Sequence, residues 1–221
     1  MRTIRVTGKG QIRVKPDMTR ITMSLEGLYP EYGETLRHSS EDTARLKDVL
    51  APFGFSRSDL KTFKFNVDTE YESYKEHDTY KQRFVGYRFH HLMKVEFGSE
   101  NDRLGKVLYA LANCLVKPEF RISYTVKDPE AAKNELLGKA VSDAKDKAAV
   151  LTEAAGVTLK DVQSIDYSWG EIDFEVRPMN RTLMADECMA PMAAGTGSYD
   201  MDIEPDDIEV SDTVTVLWEI G

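Results

Sequence analysis

The chain has 221 residues, 41% of them hydrophobic, and 29 Lys and Arg against 38 Asp and Glu give a net charge of −9 at pH 7. This length and apolar content allow one large or two small globular domains, and the charge disfavours nucleic acid and anionic membranes as partners. No apolar run approaches the roughly 20 residues of a membrane-spanning helix. The two cysteines, Cys114 and Cys188, are too few for a disulfide framework and are expected to be free thiols.

Alternating apolar and polar residues predict two strands at the start of the chain. The first contains Ile4, Val6, Ile12 and Val14, and the second contains Ile21, Met23 and Leu25. Pro16 and Asp17 lie between them and predict a turn, so the two strands are expected to pair as a hairpin. Gly8 and Gly10 lie inside the first strand, where they indicate a bulge or bend. A phosphate-binding loop is disfavoured here, because this segment leads into another strand and not into a helix.

The middle of the chain predicts a helix followed by two long strands. Apolar residues at helical spacing begin near Tyr32, and Gly54 ends that helix. Aromatic and β-branched residues then alternate with polar ones over about residues 63–71 and 85–97, which predicts two long strands joined by a polar, Tyr-rich connection.

The segment from Asp128 to Gly156 predicts one long helix. Asp128 is suited to cap its beginning, Pro129 suits the first helical position, and Gly156 is suited to end it. One apolar stripe is expected to face a sheet, and it consists of Leu137, Val141, Ala144, Ala148, Leu151 and Ala155.

The last part of the chain predicts two more strands separated by a long excursion. Alternation around Ile165 and again over about residues 208–220 predicts the strands. Residues 177–207 between them show no period and contain several Pro and Gly, so we expect a flexible, Met-rich loop.

The two halves of the chain resemble each other, which indicates an internal duplication. Pseudo-repeats over about residues 18–97 and 117–220 would each contain strand, helix, strand and strand, bridged by a short helix over about residues 99–115. Ser99 and Asp102 have the spacing of a capping box at the start of that short helix. The predicted fold is α+β, with long antiparallel strands and helices packed on one face, in a single domain over residues 1–221.

The order and spacing of several segments resemble the SIMPL domain family. These segments are IRVTGKGQIRVKPD, GYRFHHLMKVEF, DPEAAKNELLGKAVSDAKDKAAVLTEAAGV, MADECMAPMAA and IEVSDTVTVLWEI, and they extend from about Thr3 to Ile220. The resemblance implies an α+β fold, homo-oligomerisation and a bacterial periplasmic or outer-membrane immunogenic protein of unknown biochemical function. It further implies loose links to oxidative stress and to cell-envelope maintenance, and it carries no catalytic residues.

The compartment depends on whether an export signal has been removed from the sequence. Met1 to Thr3 lead directly into a strand pattern with no apolar signal segment, so the sequence as written predicts a cytoplasmic protein. The family resemblance implies the periplasm or cell envelope for a sequence from which such a signal has been trimmed.

Soft sulfur ligands are concentrated in the predicted loop. The sequence places Met184, Cys188, Met189 and Met192 close together there, with Met179 shortly before them. Thioether and thiolate sulfur suit Cu(I) and are also targets of oxidation, so one hypothesis is a soft-metal or redox-active loop. The alternative is that these methionines are adaptable apolar contacts with a neighbouring subunit.

Three tyrosines cluster around the connection between the two long strands. We predict that Tyr71, Tyr74 and Tyr80 lie on a hairpin that extends beyond the core and contacts another copy of the chain. The alternative is a hairpin packed against its own domain.

No set of catalytic residues can be assembled from motif spacing. His90 and His91 are adjacent on a predicted strand and therefore face opposite ways, which prevents them from sharing a metal. His91 falls on the aromatic face and is expected to be a partly buried, hydrogen-bonded histidine. The sequence therefore predicts a non-enzymatic, self-associating binding or scaffold protein without a cofactor, with the soft-metal or redox-active protein as the alternative and an enzyme third.

Overall fold

The computed structural model describes residues 2–77, 79–167, 174–176, 199 and 203–221, which form the predicted α+β fold. The helices are α1 (Tyr32–Leu50), α2 (Asn101–Ala112) and α3 (Pro129–Ala154). The strands are β1 (Arg2–Val14), β2 (Met18–Tyr29), β3 (Lys61–Glu76), β4 (Thr79–Gly98), β5 (Glu119–Thr125), β6 (Leu159–Tyr167), β7 (Glu175–Val176) and β8 (Ile208–Ile220).

The chain divides into two compact units. Unit 1 comprises Met1–Asp17, Thr125–Val176 and Pro205–Gly221, and unit 2 comprises Met18–Tyr124 and Arg177–Glu204. Unit 1 therefore combines both ends of the chain with a segment from its middle. The predicted single domain and the predicted boundaries of the two pseudo-repeats stay predictions.

Unit 1 is built on a sheet in which β8 lies between β1 and β6. β1 pairs antiparallel with β8 along its whole length, from Arg2 opposite Ile220 to Val14 opposite Ile208. The predicted hairpin of the first two strands is therefore wrong, because β1 pairs with a strand at the other end of the chain and β2 belongs to the sheet of unit 2. The bulge predicted at the glycines is also wrong, since this pairing has no shift in register.

Contacts within unit 1 fix the segment that follows β1. The backbone N–H of Asp17 donates to the carbonyl oxygen of Thr125 at 3.2 Å, and its carboxylate accepts from the backbone N–H of Lys127 at 2.8 Å. These bonds connect the end of β1 with the residues that lead into α3. The Pro-Asp sequence therefore ends the strand without returning the chain to pair with it.

Helix α3 has the predicted ends but a different buried stripe. Asp128 accepts a hydrogen bond from the backbone N–H of Ala131 at 3.0 Å, and Gly156 has a φ of 68°. The prediction is wrong for Leu151 and Ala155, which are exposed. The buried residues of α3 are Ala132, Leu136, Ala140, Ala144, Ala148 and Thr152.

The glycines of β1 explain why the small side chains of α3 face the sheet. A Cβ atom at Gly8 would lie 2.1 Å from the carbonyl oxygen of Ala140 and 2.4 Å from the backbone nitrogen of Ala144. A Cβ atom at Gly10 would lie 2.2 Å from another carbonyl oxygen of the helix. The backbone of α3 therefore rests directly on the backbone of β1, which requires glycine on the strand and alanine on the helix.

In the sheet of unit 2, β4 lies between β3 and β2, and β5 lies beyond β2. β4 pairs antiparallel with both neighbours. Alternate residues of β2 and β4 point to one face, where α1 and α2 cover them. The core that they form includes Ile21, Met23, Leu46, Leu50, Phe89, Met93, Leu104, Leu108 and Leu111.

In unit 2, the residue predicted to end α1 does so, but the residues predicted to cap the start of α2 do not. Gly54 follows α1 and a short 3-10 turn with a φ of 82°, as expected of a terminating glycine. The capping box at α2 is wrong, because Glu100 is the N-terminal cap and its side chain makes no capping hydrogen bond. The hydroxyl of Ser99 instead lies 3.3 Å from the hydroxyl of Thr19 on β2.

Each unit contains a helix followed along the chain by two paired strands, and the predicted internal duplication stays a prediction. α1 precedes β3 and β4 in unit 2, and α3 precedes β6 and β8 in unit 1. Each helix packs mainly on the second strand of its pair and on an earlier strand, β2 or β1. The first strands, β3 and β6, are therefore left with exposed apolar side chains such as Phe65 and Ile165.

Candidate functional site: an aromatic hairpin arm

The β3–β4 hairpin extends past the end of β2. β2 ends at Tyr29, opposite Tyr87 of β4. In the described part of the chain, residues 79–86 of β4 pair only with β3. We call Tyr71–Glu76 together with Thr79–Gly86 the aromatic arm.

The pairing register decides which face of the arm each aromatic residue occupies. Tyr71 lies opposite Phe84, and Lys75 lies opposite Tyr80. Directly opposed residues of an antiparallel pair share a face, and successive residues alternate between faces. Tyr71, Tyr80 and Phe84 therefore share one face, and Tyr74 lies on the other. The sequence places Tyr74 together with Tyr71 and Tyr80, but in the structure Tyr74 lies on the opposite face of the hairpin from both.

A bulge in β4 brings one more aromatic residue onto this face. The register shifts between Glu70 and Tyr71, because their partners are Gly86 and Phe84 and Val85 is left without an opposite residue. Phe84 and Tyr87 are three residues apart and would face opposite ways in a regular strand, but the bulge places both on one face.

Four aromatic rings form a continuous ladder along that face. The ring centroids of Tyr71 and Phe84 are 5.7 Å apart, those of Phe84 and Tyr87 5.3 Å, and those of Tyr87 and Tyr32 5.4 Å. All three contacts are edge-to-face, the geometry that aromatic rings favour. The ladder joins the arm to the first turn of α1. The sequence analysis did not predict that Phe84 and Tyr32 belong to this aromatic cluster.

The aromatic side chains of the arm are exposed in the single chain. The exposed fraction is 77% for Tyr80, 54% for Tyr71, 43% for Phe84 and 40% for Tyr74. Exposed aromatic clusters of this kind are typical of protein–protein contact surfaces, because they bury much apolar area at a low cost in side-chain entropy.

The opposite face of the arm is charged. Arg83 contacts Glu72 at 2.7 Å and Lys81 contacts Glu76 at 2.6 Å, on either side of Tyr74. Exposed ion pairs of this kind contribute little to stability, but they keep a face compatible with water. The arm is therefore amphipathic, with an aromatic face and a face of balanced charges.

Strand β3 is also an edge strand. Among the described residues it pairs only with β4, so its other edge presents backbone N–H and C=O groups from Lys61 to Glu76. Such an edge is a template for another strand. The exposed aromatic ladder and the open edge meet on the same hairpin.

The residues of the proposed soft-ligand loop, Met184, Cys188, Met189 and Met192, lie outside the described residues. Cys114 is a free, buried thiol in the core of unit 2. In the described part of the chain, no group of three or more His, Cys, Asp or Glu residues could hold a metal ion. Among the same residues, no helix has both the length and the apolar character of a membrane span.

The adjacent histidines face opposite ways, as their positions on a strand predict. His91 is 8% exposed, and its ring nitrogens lie 3.2 Å from the hydroxyl of Thr43 and 2.8 Å from that of Thr62. His90 lies on the other face, 2.9 Å from Glu26. The expectation of a hydrogen-bonded His91 is confirmed, and its side chain is more fully buried than expected.

The fold and the arm define an α+β protein with a recurring helix-strand-strand motif and an exposed aromatic hairpin. Residues 4–218 match the model of the SIMPL family, which is described as protein of unknown function (DUF541). The chain therefore belongs to the SIMPL family, and the resemblance seen in the sequence is confirmed.

Two curated relatives of the chain are bacterial. The chain is similar to the 26 kDa periplasmic immunogenic protein of Brucella melitensis, with 27% identity over 209 residues that cover 90% of this chain and 82% of the relative. It is similar to the protein of the same name from Brucella abortus, with 26% identity over 209 residues and the same 90% and 82% coverage. Neither name specifies a reaction.

Proposed function

We propose that this SIMPL protein is a non-enzymatic, self-associating binding or scaffold protein in which the aromatic arm joins copies of the chain. The observation that carries the proposal is the ladder of Tyr71, Phe84 and Tyr87, in which Tyr71 and Phe84 are exposed, beside the open edge of β3. Burying these rings removes apolar surface from water, and pairing the edge satisfies backbone groups.

The charge of the arm favours a second copy of the chain as the partner. The whole chain has a net charge of −9, so two copies repel each other on average. Residues 71–86, which are the arm and the two residues that join its strands, carry three acidic and three basic residues, so this hairpin is a place where two copies approach without net repulsion. Two β3 edges can also pair antiparallel about a two-fold axis, because each then presents the same residues to the other.

We place the protein in the bacterial periplasm or cell envelope. The two curated relatives carry the word periplasmic in their names, and this supports the placement. Nothing in the comparisons supports the cytoplasmic prediction made from the sequence as written. A role in envelope maintenance or in oxidative stress belongs to the same proposal.

Two matched tyrosine substitutions on the arm test the contact. Tyr80→Ser removes an exposed ring from the aromatic face, and Tyr74→Ser removes the same side chain from the charged face. Sedimentation equilibrium of the full chain should show weaker self-association for Tyr80→Ser, by roughly tenfold if Tyr80 is an interface hot spot, and little change for Tyr74→Ser.

Equal association constants for wild type and Tyr80→Ser would show that the aromatic face of the arm is not part of the interface. A stronger effect of Tyr74→Ser would place the contact on the charged face.

A further inference from the structure

A cavity of about 480 Å³ lies between α1 and the edge strand β3 in unit 2. Among the described residues, helix α1 packs on β2 and β4 and leaves the helix-facing side of β3 largely uncovered. The residues that α1 presents to the cavity include Ser39, Ser40, Thr43 and Ala44, whose side chains are too small to reach β3. The cavity has the size of pockets that hold small organic molecules.

A chain of hydrogen bonds at the cavity fixes the histidine that lines it. The hydroxyl of Thr43 donates to the carbonyl oxygen of Ser39 at 2.8 Å, so its oxygen accepts from Nδ1–H of His91 at 3.2 Å. Nε2 of His91 then carries no proton and accepts from the hydroxyl of Thr62 at 2.8 Å. Burial, and to a smaller extent Lys47, lowers the pKa of His91 and favours the same neutral form.

Of the charged residues that the structure describes, two cations and no carboxylate line the cavity. Lys47 comes from α1, and Arg57 comes from the segment between α1 and β3. Arg57 contacts Asp48 at 2.6 Å, whereas Lys47 forms no ion pair within the described part of the chain. In a protein of net charge −9, a cavity whose two described charged residues are both basic favours an anion.

Apolar side chains line the same cavity. Leu36 is 38% exposed and Phe65 is 44% exposed, so both have apolar surface that a ligand could cover. The ring of Phe65 meets His91 edge-on, with centroids 5.0 Å apart. A ligand that fits this lining combines an anionic group with an apolar body.

We propose that this cavity binds a small carboxylate with a ring-sized apolar body. Lys47 and the hydroxyl of Ser40 bind the carboxylate, and Phe65 with Leu36 contacts the body. Thr62 and His91 form a polar wall that is already hydrogen-bonded and has no negative charge to repel the ligand. This binding site is separate from the aromatic arm and does not require self-association.

Fluorine NMR on the full chain tests the proposal, because line broadening of a small ligand is detected whether the protein is monomeric or assembled. The probe is 4-fluorobenzoate. The neutral 4-fluorobenzyl alcohol tests the need for the carboxylate, and trifluoroacetate tests the need for the ring. We expect saturable binding of 4-fluorobenzoate and at least about fivefold weaker binding of the other two probes.

Three variants locate the site. Lys47→Met should weaken 4-fluorobenzoate binding by about fivefold or more, and Ala44→Leu should abolish it by filling the cavity. Lys64→Met is the matched control, because Lys64 lies on the opposite face of β3 from Phe65 and does not line the cavity. The circular dichroism spectrum of each variant confirms that it is folded.

The proposal is overturned by absence of saturable 4-fluorobenzoate binding up to about 10 mM, a weak limit for a specific site. It is also overturned by equal binding of the alcohol, or by folded Lys47→Met and Ala44→Leu proteins that bind as wild type does. An equal loss in Lys64→Met would show a nonspecific charge effect and would reject the site.

Discussion

The substitution Gly8→Ala tests whether direct backbone contact between β1 and α3 holds unit 1 together. The added Cβ atom would lie 2.1 Å from the carbonyl oxygen of Ala140, whereas ordinary contact begins near 3.4 Å. The obstructing atoms belong to the helix backbone and cannot rotate away. The helix must therefore withdraw from the strand by about 1.3 Å.

The expected cost follows from this displacement. A gap of about 0.5–1 Å already forfeits a quarter to a half of the dispersion attraction between facing atoms, and added methyl groups in tight cores cost about 1–3 kcal/mol. Because the residues facing Gly8 are fully buried, we expect Gly8→Ala to lower the free energy of unfolding by about 3 kcal/mol, at the upper end of that range.

Gly138→Ala is the matched control on α3 itself. A Cβ atom there would meet nothing within 4 Å, so the change should stabilise the helix by about 0.5–1 kcal/mol. Urea unfolding followed by tryptophan fluorescence measures both effects in unit 1, because Trp218 of β8 is buried in its core and Trp169 falls within its sequence range. A Gly8→Ala protein within about 0.5 kcal/mol of wild type, the usual limit for a surface change, would refute the reasoning.

Two further predictions concern His91 and the Met-rich loop. The pKa of His91 is lowered in the folded state by burial and then by Lys47, so the unfolded state binds more protons as the pH falls below about 6.5. The stability that neutral His91 contributes should be fully present above that pH and should decline below it. The urea midpoints of wild type and His91→Gln should therefore converge as the pH is lowered from 7.5 to 5.5. Midpoints that differ by the same amount over this range would contradict the prediction. If the soft-metal alternative holds, the double substitution Cys188→Ser and Met189→Ala should weaken Cu(I) binding in a competition titration. Absence of Cu(I) binding by the wild type would reject that alternative.

The long helices could be predicted because their signals are local. Asp128 and Gly156 lie next to the helix ends that they cap. The spacing of apolar residues was sufficient to predict most of the length of α1 and α3. The partner of β1 could not be predicted, because the strand that pairs with it lies at the far end of the chain and Pro16-Asp17 resembles a hairpin turn. Nothing in the local sequence distinguishes a turn from a bend that leads into another sheet.

The role of Gly8 and Gly10 also depends on a distant element. Glycine inside a strand indicates either a bulge or a close approach by another backbone, and only the position of α3 decides between them. The same contact explains the error in the stripe of α3, because the helix turns its alanines toward the glycines and leaves Leu151 exposed.

The candidate site could be predicted only in part. The sequence indicated exposed tyrosines on a hairpin, and Tyr71, Tyr74 and Tyr80 are exposed. Their distribution over two faces depends on the exact pairing register, and the place of Phe84 depends on the bulge at Val85. Both require knowledge of which residues oppose each other across the hairpin.

The native mass of the full chain most directly tests the claim that this protein self-associates through its arm. Size exclusion with light scattering should be carried out with and without reductant, on wild type and on a protein with the arm shortened at its tip. We predict one species with a mass that is a multiple of the monomer mass, unaffected by reductant and reduced by the shortened arm. A wild-type monomer, or an assembly that keeps its mass without the arm, would contradict the account, and an assembly that dissociates in reductant would point to Cys188.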